Sequence, residues 1–499
     1  MLTCSAAFFD STHVFLGVNQ SMNEKGMQDS WNKFGGENNL YYICANLLKT
    51  YQNMQIEVIG PKRVEGRVAL PASKSISNRV LVINQLAGAT NGVPRNVSDC
   101  DDTRVMLRWL AEQPAVVDIG AAGTAMRFSS ALLAVTPGER VITGTERMKN
   151  RPIAVLVDAL RELGAEVEYV EKEGFPPLRI KGRDDLEGGV LTLPGNVSSQ
   201  YVSALLMIGP VLKQGLRLTL TGTVISRPYI NLTMQLMREF GAEVDWVSEN
   251  EIVVGTKHYV NRDYYVENDW SAASYWYEMV ALSEEGAEVV LPGLFKESYQ
   301  GDAKVAEIFE KLSVESTFFE EEGVSCVRLR KQGKVCERLD YDFVNQPDLA
   351  QTFVVTCCLM GVPFCFTGLQ SLKIKETDRI AALIQEMGKL GFKLSVESSS
   401  KGEGEEGLRQ NRSLQRKKED VEDVGLMWEP DAEVSGGEPS NLMMEPEAID
   451  TYEDHRMAMS FAPAAMRVKR LRVNEPQVVS KSYPGFWEAL RSVGFSITS

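Results

Sequence analysis

The sequence predicts an α/β protein of two similar lobes, each of three repeat units, with helix N-termini facing a cleft between them. Three observations predict it. First, an amphipathic helix followed by glycine and an alternating run recurs, as LRELGAEVEYV (160–170), LMREFGAEVDWV (236–247), MGKLGFKLSV (387–396) and LRSVGFSIT (490–498), with a degenerate copy FEKLSVESTFF (309–319). Gly164 and Gly241 lie 77 residues apart and Gly391 lies 150 beyond, so a unit of about 75 residues repeats. Second, small polar residues open an apolar helix six times, at Ser75, Thr124, Ser199, Asp269, Asp348 and His455, at spacings of 49, 75, 70, 79 and 107. Third, each unit mixes Val/Ile/Thr alternation with a 3.6-residue apolar period, the signature of strands and helices in one unit.

Along the chain, residues 1–54 show weak periodicity and read as an extension. The repeat begins near Ile56. Crossings near Pro71–Lys74 and Val266–Asp269 divide the chain into one lobe of 73–267 and another of 55–72 plus 268–499. The short first interval implies a deletion near Ala111–Val117, where the glycine-strand piece is missing. Thr352–Leu369 is the longest apolar stretch, but Gly361-Val362-Pro363 breaks it into helix, turn and strand rather than a membrane span. The long last interval reflects an insertion at about 397–447, with 14 Asp/Glu against 6 Lys/Arg, which reads as a mobile, solvated acidic loop.

Hydrophobic residues make up 44% of the 499 and charged residues 24%, which excludes wholesale disorder and a disulfide mini-scaffold. A net charge of −15 argues against nucleic-acid or anionic-membrane partners, so an anionic ligand needs a local basic cluster. Eight cysteines without a C-x-x-C pair, and only three histidines, argue against a metal site and fit reduced, buried thiols in the cytosol. The N-terminal 53 residues contain no Arg and no basic start before an apolar run, so neither a secretory nor a transit peptide is expected.

A helix N-terminus presents unpaired N–H groups and the positive end of the dipole, a ready anion site. Several such ends on one cleft favour a multiply anionic ligand. Basic residues sit on or near them: Lys74, Arg79, Arg127, Arg151, Arg456 and Lys481, with Lys375 and Arg379 spaced i, i+4 as if on one helical face. Asp348 reads as a first-turn acid, and Glu376 as the i, i+3 partner of Arg379. Alternatively, both carboxylates transfer protons in a cleft whose cations keep them ionised.

Eleven segments then occur in order: LPASKSISNR (70–79), DCDDTRVM (99–106), GAAGTAMR (120–127), RMKNRPI (147–153), PGNVSSQYVSALL (194–206), SRPYINLT (226–233), NDWSAASY (268–275), QPDLAQT (346–352), KIKETDRI (373–380), YEDHRMAMSFA (452–462) and KSYPGFWEAL (481–490). This set resembles the 5-enolpyruvylshikimate-3-phosphate synthase family over about residues 55 to 499. The resemblance implies two lobes of three βαβαββ units each, an inside-out α/β barrel arrangement, and a cytoplasmic monomer that needs no metal or organic cofactor. It implies transfer of the enolpyruvyl group of phosphoenolpyruvate to the 5-hydroxyl of shikimate 3-phosphate, with release of phosphate, by addition and elimination through a tetrahedral intermediate. Lys74, Gly123, Arg151, Arg379, Arg456 and Lys481 would bind phosphoenolpyruvate. Ser75, Arg79, Ser198, Ser199, Ser226 and Lys375 would bind shikimate 3-phosphate, and Gln200 would touch both. Asp348 would take the 5-hydroxyl proton; Glu376 would give, then remove, a proton at the methylene; Lys74 and His455 would assist near the leaving phosphate. Tyr229 matches a residue at the sugar-like ring or a core aromatic, Arg127 a structural residue or one near the phosphoenolpyruvate pocket, and Asp269 a hinge or cap; the alternative for His455 is a satisfied helix-start histidine.

Two departures bear on affinity. Ala121 and Ser371 stand where the family has Asn, and each implies a loss of about 1–3 kcal/mol of binding wherever a partner is left unpaired. With the shortened first unit, they motivate an alternative: a catalytically weak member that binds anions or shikimate phosphates. The presence of Lys74, Asp348 and Glu376 opposes it. UDP-N-acetylglucosamine enolpyruvyl transferases carry a loop cysteine near an Arg-Pro-Gly segment, which has no match here, and no G-x-x-x-x-G-K-[ST] phosphate loop is present.

Overall fold

A computed structural model describes residues 54–88, 94–398, 424–430 and 441–499. The fold is α/β with five sheets, four of them mixed. Val116–Asp118, Gly138–Thr143, Leu178–Gly182 and Glu166–Tyr169 form one sheet in that spatial order; its first pair is parallel and the rest antiparallel. Gly189–Pro194, Leu216–Thr221, Glu251–Val254 and Val244–Ser248 repeat the arrangement. So do Glu65–Arg67, Glu288–Pro292, Val324–Val335 and Leu312–Glu321, and Leu339–Asp342, Phe364–Thr367, Val424–Trp428 and Ser395–Ser398. In the fifth sheet Gln55–Ile59 lies between Leu471–Asn474 and Ser496–Thr498, so the start of the repeat pairs with its end. The first-strand place there shrinks to a parallel bridge between Ile449 and Val473. No sheet closes into a barrel among the described residues. The helix Asp101–Glu112 runs within four residues into Val116, so the glycine-strand piece has no room there.

The recurrent glycines share one job. Gly164, Gly241, Gly391 and Gly494 follow the helices Ala154–Glu162, Arg227–Glu239, Arg379–Lys389 and Phe486–Ser492, with φ between 88° and 101°. A left-handed residue ends a helix and turns the chain back, and glycine adopts it without a Cβ penalty. In the degenerate copy Ser313 takes φ 63° instead.

Helices sit inside and sheets outside. Gly123–Ala134, Trp270–Leu282, Ala350–Met360 and His455–Phe461 are buried along nearly their whole length, as expected of helices apolar all round. Leu178–Gly182 and Leu216–Thr221 alternate buried with exposed or half-buried residues, so those sheets turn one face to water. Buried apolar residues form two clusters. One draws on Ala72 to Val266; the other draws on Ile56 to Leu70 and Trp270 to Phe495. The chain passes between them twice at one place, where Ala72 bridges Asn268 and the Ser73 and Asp269 amides donate to Glu267 and Pro71 at 2.8 and 2.9 Å.

Thr352–Leu369 divides as expected, into the helix Ala350–Met360, left-handed Gly361 and the strand Phe364–Thr367. No described helix is long and apolar enough to cross a membrane. Cys100, Cys326, Cys357 and Cys358 are buried thiols, and Cys336 is half-buried. One expectation needs correction. The acidic stretch 397–447 holds the strand Val424–Trp428, whose Val424, Leu426 and Trp428 are buried between two neighbouring strands. Five apolar residues suffice to fill a sheet position, and the surrounding Glu and Lys mask them when composition is averaged over fifty residues. Residues 399–423 and 431–440 of that stretch, and the extension 1–53, lie outside the described residues.

Candidate active site

All six expected helix starts exist, and they deliver their residues to one open cleft of about 960 Å³ between the two clusters. Ser73 caps the helix Lys74–Leu86, Ser198 caps Ser199–Ile208, Asp269 caps Trp270–Leu282 and Asp454 caps His455–Phe461. Gly123 opens Gly123–Ala134, and Asp348 sits in the 3-10 turn Pro347–Leu349 that leads into Ala350–Met360. The cleft is lined by every site residue expected from the sequence except Lys481, whose Nζ reaches in to Glu376 Oε1 at 3.1 Å.

The floor is a buried ion network. Arg379, 1% exposed, donates to Asp348 at 3.0 Å, to Glu376 at 2.9 Å and to Asp454 at 2.7 Å. Arg456 donates to the other Asp348 oxygen at 2.9 Å, and Lys375 Nζ lies 3.7 Å from Asp348. Burial alone would raise both carboxyls, but Arg456, Lys375 and Arg379 hold Asp348 well below the usual carboxylate range, and Lys481, Arg379 and Arg151 do the same for Glu376. Both are ionised in the empty cleft. Burial among Lys74, Arg456 and Lys481 drives His455 far below its ordinary value, so its imidazole is neutral, with neither ring nitrogen hydrogen-bonded.

KETDR does not form one helical face, contrary to expectation. Lys375 closes the 3-10 helix Gln370–Ile374, and Arg379 is the first residue of a separate helix, Arg379–Lys389. Asp378 is the reason: its side chain accepts the Ile380 and Ala381 amides and starts a new helix there. Lys375 and Arg379 still converge, on Asp348.

The opposite wall is different. Arg79, 3% exposed, donates to Thr233 Oγ1 at 2.7 Å, to the Ser75 carbonyl at 2.8 Å, to Ser203 Oγ and to the Tyr229 carbonyl, all neutral. Burial pulls its pKa down to about 10. Lys74 opens its helix 3.5 Å from Asp102; burial lowers its pKa, but Asp102, Cys100 and Glu376 raise it further, so it stays charged. Arg127 donates to the Gly123 and Pro152 carbonyls at 3.3 and 2.9 Å, and it braces the Gly123 turn against the Arg151 segment. Gln200 donates to Thr124 Oγ1 at 3.0 Å. Ser226 takes a left-handed conformation, and its amide donates across the cleft to the Val344 carbonyl at 3.1 Å.

Several residues at the site were not singled out in the sequence. Asp102, Ser271, Tyr275 and Ser482 line it; Asp302 and Asp454 support it from behind. Asp102 lies within the quoted DCDDTRVM, and Asp454 stands beside His455, so both were within reach. Asp302 stands in a short turn with no periodic signal. Tyr229, ambiguous in the sequence, turns its hydroxyl to Asp302 and Asp348 at 3.2 and 3.4 Å. Asp269 is a cap, accepting the Ala272 amide at 3.0 Å. Ala121 is exposed, and the Ser371 hydroxyl is buried without a partner.

Residues 58–112 and 108–490 match the family described as EPSP synthase (3-phosphoshikimate 1-carboxyvinyltransferase). The chain belongs to the EPSP synthase family. A 3-phosphoshikimate 1-carboxyvinyltransferase of Bacteroides fragilis is 55% identical over 444 residues, covering 89% of this chain and 99% of that protein. One from Yersinia pestis is 34% identical over 453 residues, covering 85% and 95%. The solved EPSP synthase of Acinetobacter baumannii shares the fold, with a TM-score of 0.68 at 21% identity over 89% of this chain and 100% of that one.

Proposed function

We propose that the cleft binds phosphoenolpyruvate and shikimate 3-phosphate side by side, transfers the enolpyruvyl group to the 5-hydroxyl and releases phosphate. The chain is an enolpyruvyl transferase of the shikimate pathway, as its family membership and relatives support. What carries the assignment of residues is the meeting of two ionised carboxylates with at least six cations in one cleft.

The two substrates bring two phosphates and two carboxylates, whose mutual repulsion must be offset by fixed cations and dipoles. In this reading Arg79, Lys375, Ser75, Ser198, Ser199 and Ser226 hold shikimate 3-phosphate. Lys74, Arg151, Arg379, Arg456, Lys481 and the Gly123 amide hold phosphoenolpyruvate, and Gln200 lies between them. Asp348, kept ionised, takes the 5-hydroxyl proton. Glu376 must first deliver a proton to the methylene, yet it is ionised in the empty cleft. Incoming anions resolve this by neutralising Lys481 and Arg379, the cations that depress it, so its proton affinity climbs on binding. Neutral His455 offers an N–H to the leaving phosphate, and Lys74 a charge.

Residues 73–267 and 55–72 plus 268–499 act as two lobes, each of three related units, hinged at the paired segments 71–73 and 267–269. The two clusters and the repeated sheet order support this. The deciding experiment is a coupled phosphate-release assay. Phosphate should leave phosphoenolpyruvate only when shikimate 3-phosphate is present; release with shikimate itself would break the substrate assignment.

A further inference from the structure

Two carboxylates, not one, meet the Tyr229 hydroxyl. It lies 3.4 Å from Asp348 Oδ2 and 3.2 Å from Asp302 Oδ1, and it carries a single hydrogen. Asp302 is 3% exposed, in the turn Gly301–Lys304, with its other oxygen taken by the Ser271 hydroxyl. Tyr229 belongs to the helix Arg227–Glu239 on one side of the cleft, and Asp302, Ser271 and Asp348 to the other. The contact at the base of the turn is tight. A Cβ at Gly301 would meet Pro228 at 2.5 Å, so the turn sits directly under Tyr229.

We propose that Asp302 is the resting place of the proton taken from the 5-hydroxyl, reached from Asp348 through Tyr229. This rests on the assignment of Asp348 as the base. As the hydroxyl oxygen bonds to C2 of phosphoenolpyruvate, the C2=C3 π pair takes the proton that Glu376 delivers to the methylene, the O–H bond breaks and its proton goes to Asp348. The proton then passes from Asp348 to the Tyr229 oxygen while the Tyr229 proton passes to Asp302 Oδ1. Asp348 is again a carboxylate, Tyr229 again a neutral phenol, and Asp302 a carboxylic acid. It returns the proton to water when the cleft opens and products leave.

The surroundings give the direction. Arg379, Arg456 and Lys375 flank Asp348 and make it a poor keeper of a proton. Asp302 faces the like charges of Asp348 and Asp269, the hydroxyls of Tyr229 and Ser271, and the cation Arg456. Burial, then Asp348, push its carboxyl up to about 6. Downhill transfer therefore runs from Asp348 to Asp302, and it frees Asp348 from carrying the proton through elimination.

The test uses Asp302→Asn, Tyr229→Phe, their double variant and Asp348→Asn, assayed for phosphate release across pH, with shikimate 3-phosphate binding followed by calorimetry. Asp302→Asn should lower kcat at least about tenfold while binding stays within about threefold. Asp302 must be ionised to accept a proton, so the parent's kcat should fall below a pH near 6. That limb should vanish in Asp302→Asn. Tyr229→Phe should lose a similar factor, and the double variant should be no slower than the slower single, because both cut one path. A kcat for Asp302→Asn within about twofold of the parent, a persisting acid limb, or a double variant whose loss is the product of the two singles would overturn the relay. Should Asp302→Asn fail to fold, Tyr229→Phe decides alone: a near-parental rate with the limb intact sinks the proposal. Normal turnover by Asp348→Asn would remove the base assignment itself, whereas an inactive Asp348→Asn beside a normal Asp302→Asn removes only the relay.

Discussion

The two walls of the cleft use arginine in opposite ways. Arg79 and Arg127, from the 72–266 side, are buried with hydrogen bonds only to carbonyls, hydroxyls and a thioether. Arg379 and Arg456, from the other side, are buried against Asp348, Glu376 and Asp454. Burial lowers the pKa of the first pair; carboxylates more than offset burial and raise the second. One wall thus holds cations that an incoming anion would neutralise. On the other, each arginine is already paired with carboxylates, so an incoming anion must share it with them. Lys74 is the exception on the first wall, pairing with Asp102 at 3.5 Å. The difference teaches that an incoming anion meets cations without a carboxylate partner on one wall and cations already shared with carboxylates on the other.

The sharpest way to break this comparison is to remove one arginine from each wall. Arg379→Met takes a shared partner from Asp348 and Glu376, leaves buried Asp454 without a cation, and should cost about 3–5 kcal/mol of stability, read by denaturant unfolding of the empty protein. A variant as stable as its parent would mean that these carboxylates do not depend on Arg379. Next comes the chemistry of that wall. Glu376→Gln keeps shape and should keep ligand binding, while turnover drops at least about 100-fold. A near-normal rate would take Glu376 out of proton transfer.

Arg79→Met probes the other wall. Ser203, Thr233 and the Tyr229 carbonyl still bond one another at 2.8 and 2.9 Å without the guanidinium, so little is left unpaired. The empty protein should unfold within about 1 kcal/mol of its parent, or later, because an unpaired buried cation is gone. Shikimate 3-phosphate should bind about 10–100-fold more weakly, the loss of charge-assisted hydrogen bonds. Destabilisation like that of Arg379→Met would erase the distinction between the walls.

What the sequence revealed follows the range over which each feature is encoded. Helix starts such as Ser198-Ser199-Gln200 are local: a capping side chain and the apolar run after it lie within one turn. The glycine-strand repeat is local too. The strand Val424–Trp428 was hidden because five residues cannot outweigh an acidic neighbourhood, although a short apolar run bounded by polar residues was its signal. The i, i+4 spacing of Lys375 and Arg379 misled because Asp378 between them is a cap as well as a charge. Asp302 was out of reach for a different reason. Its significance arises only where Tyr229, Ser271 and Asp348, separated by up to 119 residues, surround it. Spacing along one segment carries no trace of that meeting.

The smallest expected effect separates the two ligands on the Arg79 wall itself. Gly123 opens its helix without needing a left-handed backbone, so alanine suits the conformation and the helix. Its Cβ, however, would stand 2.4 Å from Arg151 Nη1 and 2.9 Å from its Cζ. The obstructing atoms are the far end of a flexible side chain, so the guanidinium gives way and the fold does not. Gly123→Ala should therefore leave unfolding unchanged and raise KM for phosphoenolpyruvate about 5–10-fold, roughly 1 kcal/mol. Shikimate 3-phosphate, which we propose is held through Arg79 and the serine-capped helices, should bind as before. An equal loss for both ligands would place Gly123 and Arg151 at a shared boundary, and the wall would then act as one undivided anion site.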